Sequence, residues 1–255
     1  MENLLFLTIV GGFVAAASAY IGSIMVLKRM SLVGDALSHV ALPGIAIALS
    51  LNISPILGAF TALTLAVLGI WYLEKNSDNY PEALVGIFFT ASLAIGVLIT
   101  DELDLLEALF GDIEKIGYAE GLVTIIISII VSFVIYKIIN KLIIGVISEE
   151  LSKAQKININ IVNLIYLLAV GVIASLGIKF VGTLLTGALV IIPAVAAKNI
   201  SRSMKSYFLT SVTFGILSAI IGIPLAYVLS LPVGPIVVIT CVIIFIITYL
   251  FKKPS

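Results

Sequence analysis

Charge is what this sequence has least of. Asp, Glu, Lys and Arg together make up 11% of its 255 residues, where a soluble chain carries about 25%. A polypeptide so poor in polar groups cannot cover a folded core from water, which excludes an ordinary soluble globular protein. The charges balance to a net of zero, and no basic patch is large enough to draw nucleic acid. Cys241 is the single cysteine, so no internal disulfide forms, and it reads as a small core hydrophobe. His39 is the single histidine, which excludes an H-E-x-x-H metal site. The chain lacks a G-x-x-x-x-G-K-[ST] phosphate loop and a Ser/His/Asp set in suitable context. Catalysis within the chain is therefore not expected. Active transport would draw its energy from an ion gradient or from another subunit.

What is present is apolar length. Hydrophobic residues make up 61% of the chain, with a mean hydropathy of +1.27. A spanning helix needs about 20 such residues. Cutting at charges and turn residues gives nine spans: 4–27, 32–51, 54–73, 82–100, 120–140, 159–177, 180–197, 206–229 and 233–251. Three of the cuts are short (Asn52 to Pro55, Gly177 to Lys179, Leu231-Pro232), which leaves the count between eight and ten. The apolar stretch from Leu4 to Leu27 is too long for a secretory signal and follows Glu2 rather than a basic segment, so it reads as the first span. The expected fold is an all-α, polytopic transmembrane helical bundle forming one domain over residues 1–255. With the N-terminus outside and the C-terminus inside, all of the 14 basic residues except Lys115 and Lys179 fall on the inner side.

Two loops carry most of the acid and base. The outer segment 101–120 holds Asp101, Glu102, Asp104, Glu107, Asp112, Glu114 and Glu120 among leucines. It reads as an amphipathic helix at the interface, either simply solvated or acting as a mouth that concentrates cations. The inner segment 148–156 has Ser148 as a helix cap, Glu149 and Glu150 in the first turn, Leu151, and then Lys153 and Lys156, which suits the helix dipole. A plain connector has no need of such a helix; a docking surface for a cytoplasmic partner does.

The chemistry concentrates in the second span. Ser31 to Gly44 contains Asp35, Ser38, His39 and Pro43. A charged aspartate at the centre of a spanning helix costs about 2.5–3.5 kcal/mol on insertion scales. Asp35 and His39 stand at i, i+4 and share one helix face. A carboxylate and an imidazole form half of a transition-metal site, and a two-fold homodimer would supply four ligands on its axis. Spacing alone leaves two plainer readings open: a salt bridge from Asp35 to Lys28 or Arg29, and a carbonyl hydrogen bond from His39. Metal binding would need the neutral imidazole, so it should weaken as pH falls through the histidine pKa. Gly182, Thr183, Thr186, Gly187 and Pro193 make the seventh span small-faced for close packing, and Lys179 is expected to snorkel at an outer helix end.

The stretch GDALSHVALPG resembles the signature of the permease subunits of zinc, manganese and iron ABC importers, the ABC-3 metal permease family. SEELSKAQKININIVNLIYLLAV, VGTLLTGALVIIPAVAA and LPVGPIVV are similar to that family's later cytoplasmic loop and spans, in the same order. The resemblance implies a homodimeric permease in the cytoplasmic membrane of a prokaryote. It implies two ATP-binding cassette ATPase subunits and an extracytoplasmic metal-binding protein as partners. The divalent cation would then be substrate, with no resident cofactor. It further implies that Asp35 and His39 are the intramembrane ligands and that 148–156 couples to the ATPase. Two positions depart from the family pattern: Ser148 stands where aspartate is common, and Lys156 where glycine is common. Two rivals are carried forward. A permease for a siderophore or corrinoid chelate would want an aromatic-lined cavity, yet Trp71 is the single tryptophan. A gradient-driven cation carrier would use Asp35 as a proton relay.

Overall fold

In hydrocarbon every backbone N–H and C=O needs a partner within the chain, which leaves helices as the economical answer for apolar runs of this length. A computed structural model describes residues 2–76, 81–99, 113 and 116–252. The helices are α1 (Glu2–Leu27), α2 (Ser31–Val40), α3 (Leu42–Ser50), α4 (Pro55–Asn76), α5 (Pro81–Ile99) and α6 (Tyr118–Ile147). They continue with α7 (Glu149–Ala154), α8 (Ile159–Val181), α9 (Thr183–Ile200), α10 (Met204–Leu229) and α11 (Val233–Leu250). Among the described residues, eight segments are long and apolar enough to cross a membrane, α2 and α3 counting together as one. The remaining expected span, α9, offers only the shorter apolar run Leu185–Ile200. The bundle is thus the polytopic helical one that the hydropathy predicts.

Three local differences have physical causes. The second span is not one rod: it breaks at Ala41, and Pro43 sits in the first turn of α3, where its missing N–H costs no helix bond. The cut before the seventh span lies later than the lysine at position 179 indicated. Gly182, at φ 81° and ψ 169°, separates α8 from α9 in a conformation that a side chain would strain. Lys179, in the last turn of α8, forms an ion pair with Glu120 in the first turn of α6, a contact that the expectation of a snorkelling lysine did not include.

Lipid gives helices no hydrophobic reason to associate, so close approach and interhelical hydrogen bonds hold them together. The centre shows both. Tyr166 of α8 donates to the Ile21 carbonyl at 3.1 Å, Tyr207 of α10 to Ser23 at 3.0 Å, and Ser211 of α10 to Ala19 at 2.9 Å. All three acceptors lie on α1, which is therefore tied to the two helices beside it. A β-carbon at Gly22 would fall 1.8 Å from the Val190 carbonyl oxygen, so α1 and α9 meet backbone to backbone. Isoleucines, leucines and phenylalanines line the outward faces, Leu5, Ile9 and Phe13 of α1 among them. Those faces suit acyl chains.

Four helices end in the same way. Arg29, Asn52, Lys156 and Ser230 have φ between 52° and 59°, each just beyond the end of α1, α3, α7 and α10 respectively. In each case the next N–H reaches back five residues: Met30 to Met25, Ile53 to Ala48, Ile157 to Ser152 and Leu231 to Ala226. These are Schellman closures built without the usual glycine.

Candidate metal site and coupling helix

Helix α2 is short, and its buried side is made of Val33, Gly34, Leu37 and Ser38. The Ser38 hydroxyl donates to the Gly34 carbonyl at 2.9 Å, so it makes no demand on neighbouring helices. Helix α9 presses against this side: a β-carbon at Gly187 would lie 2.6 Å from the Asp35 Cα and 2.8 Å from its Cβ. Asp35 and His39 lie within α2, one turn apart, as the spacing predicts. Asp35 opens onto a cavity of about 260 Å³ between α2 and α5, walled by Val33, Ala36, Val85, Gly86 and Phe89, with Glu82 at its rim. Phe89 also stacks edge-on against the His39 ring, 5.5 Å between centroids.

The geometry bears on Lys28 in the first of the plainer readings and on Nδ1 of His39 in the second. The Lys28 ammonium donates to Asn163 Oδ1 at 2.7 Å and lies over the Tyr166 ring at 5.2 Å, rather than pairing with Asp35. His39 is 9% exposed, and its Nδ1 is buried without a hydrogen-bond partner. Among the described residues no three His, Cys, Asp or Glu side chains come together. One chain therefore brings one carboxylate and one imidazole to this helix. Sequence reasoning overlooked Glu82 and Phe89. An acid in the first turn of a span is ordinary in sequence, and only the packing of α5 on α2 brings it to the Asp35 cavity.

Ser148, Glu149, Glu150, Leu151, Lys153 and Lys156 fall on α7 and its two ends. The Ser148 side chain accepts from the Leu151 N–H at 3.2 Å, the cap that the sequence predicts. Ser152 is fully buried and donates to the Ser148 carbonyl at 3.1 Å, fixing α7 on the end of α6. Leu151, by contrast, is 42% exposed beside an exposed Glu150. Lys156 occupies the left-handed position of the closing motif. Of the expected outer mouth, Asp101, Glu102, Asp104, Glu107 and Asp112 lie outside the described residues.

The structure is a multi-pass helical bundle of the kind that crosses a membrane, with a carboxylate and an imidazole set inside it. The chain belongs to the ABC 3 transport family, whose model matches residues 1–252. It is 32% identical over 260 residues to the high-affinity zinc uptake system membrane protein ZnuB of Haemophilus influenzae, covering 99% of each chain. It is 30% identical over 242 residues to the manganese transport system membrane protein MntC of Listeria monocytogenes, covering 93% of this chain and 86% of that one. Among solved structures it is similar to PsaBC from Streptococcus pneumoniae in complex with Fab. That match has a TM-score of 0.85 and 27% identity, and covers 98% of this chain and 91% of the other. These relatives are membrane components of transport systems rather than enzymes.

Proposed function

We propose that this chain is the membrane-spanning permease of an ATP-driven importer of divalent transition-metal cations, zinc or manganese foremost. The observation that carries the reading is the pair on α2: Asp35 facing a cavity, and His39 buried one turn away with a partnerless ring nitrogen. A nitrogen and a carboxylate suit both metals, so the choice between them rests on geometry and supply. That the relatives include manganese and zinc systems agrees with this breadth.

Two ligands bind weakly, and a homodimer with two-fold symmetry would join two Asp35/His39 pairs into a four-ligand station. The whole chain would act as one permease domain, N-terminus outside, in a prokaryotic cytoplasmic membrane. An extracytoplasmic binding protein would deliver the cation, and ATPase subunits would dock on α7 through Leu151 and the charges around it. The cation is cargo, released inside once ATP-driven closure moves α7. The test is uptake of zinc and manganese into cells carrying this permease with its ATPase, comparing wild type with Asp35→Ala and His39→Ala at equal membrane insertion. Collapse of uptake in both variants is the expected result. Full uptake in both returns the pair to a structural role, and uptake that persists without the ATPase transfers the protein to the gradient-driven class.

A further inference from the structure

At the basic end of the bundle, α1 finishes, α9 finishes and α10 begins around a second cavity of about 370 Å³. Lys198, in the last turn of α9, and Arg202, just past it, line this space. Neither cation has an anionic partner among the described residues. Ser201 lies between them, and its hydroxyl is buried without a hydrogen-bond partner. A buried, unsatisfied hydroxyl costs free energy unless some group completes it. The remaining walls, Leu27, Met204 and Tyr207, are largely apolar. Tyr207 spends its hydroxyl on the Ser23 carbonyl and turns only its ring to the cavity.

Two unpaired cations and a free hydroxyl over apolar walls describe a host for an anion that carries a hydrophobic body. The three helix ends that frame the cavity stand where helices leave the hydrocarbon, the level of lipid phosphates. We infer that this cavity binds the phosphate headgroup of an anionic phospholipid, with Lys198, Arg202 and Ser201 holding the phosphate and Leu27 and Met204 the glycerol and upper acyl carbons. The site is separate from the Asp35 cavity, and the inference does not depend on which cation is carried.

The experiment is native mass spectrometry of the purified full chain in detergent with equal amounts of phosphatidylglycerol and phosphatidylcholine. Wild type should retain phosphatidylglycerol preferentially. Lys198→Gln/Arg202→Gln should lower that retention by roughly tenfold and leave phosphatidylcholine retention unchanged. Ser201→Ala removes one donor and should lower it by a smaller factor, about threefold. It carries the test if the double variant fails to insert. Lys137→Gln/Lys141→Gln, at the same basic end but outside the cavity, should retain the lipid as wild type does. Equal loss in both double variants would reduce the effect to general surface charge and overturn the proposal. So would displacement of phosphatidylglycerol by equimolar inorganic phosphate, which would make this a free-anion site. Unchanged lipid retention accompanied by weaker ATPase association would reassign the basic wall to a protein contact and overturn it as well.

Discussion

Gly187 of α9 lies against the backbone of Asp35, so closely that a single methyl group there would fall 2.6 Å from the Asp35 Cα. The position of the carboxylate is therefore set from behind, by α9. Gly187→Ala must push α2 and α9 apart, and such overpacking costs about 1–3 kcal/mol. On the proposed reading of Asp35, metal uptake should fall several-fold while insertion remains measurable, because a displaced carboxylate loses its geometry before the bundle loses its fold. Normal uptake by Gly187→Ala would show that the spacing of α2 from α9 does not govern the cargo site.

Lys156 adopts φ 55° at the closing position of α7, a conformation that a side chain tolerates poorly and glycine accepts freely. Lys156→Gly should therefore raise the stability of the purified protein, by about 1 kcal/mol, read as a higher thermal unfolding midpoint in detergent. A lower midpoint would mean that the lysine side chain makes a contact worth more than the backbone strain.

The ammonium of Lys28, just beyond α1, is pulled down by burial from its ordinary 10.5 to about 8, the charge of Glu74 opposing part of the shift. The folded state thus gives up this proton earlier than the unfolded chain does. Between about pH 8 and 10.5 the unfolded state holds more protons, so stability rises with pH across that window. Thermal unfolding followed over this range should show the rise in wild type and lose it in Lys28→Met. A rise of the same size in Lys28→Met would assign the titration to another group.

Helices α3 and α4 cross at two glycines that face each other. A β-carbon at Gly44 would lie 2.2 Å from the Gly58 carbonyl oxygen, and one at Gly58 would lie 2.1 Å from that of Gly44. Gly44→Ala and Gly58→Ala should each destabilise the protein by about 1–3 kcal/mol in detergent unfolding. Because both open the same seam, the double variant should cost less than the sum of the two.

The spans were legible because hydropathy over some 20 residues is a strong signal, and Asp35 and His39 because a charge inside an apolar run stands out. The helix ends were less so. The readable mark of a helix end is glycine in the left-handed position, and here Arg29, Asn52, Lys156 and Ser230 occupy it instead. The partner of Lys179 was hidden for a different reason. Sequence places this lysine at an outer helix end but cannot show that Glu120 reaches it from α6, 59 residues away. Glu82 and Phe89 were invisible as site residues because nothing local distinguishes them, and their place depends on how α5 leans on α2.

The contact between Gly22 and the Val190 carbonyl sets a limit on how the molecule can move. Sliding α1 along α9 by one turn, about 5.4 Å, would bring the Ser18 or Val26 side chain to a place where even one methyl carbon has no room. The two helices are keyed like a shaft in its slot. Whatever stroke carries cargo across must swing them together as one beam, and the yielding joints have to be sought in the more loosely seated helices around them.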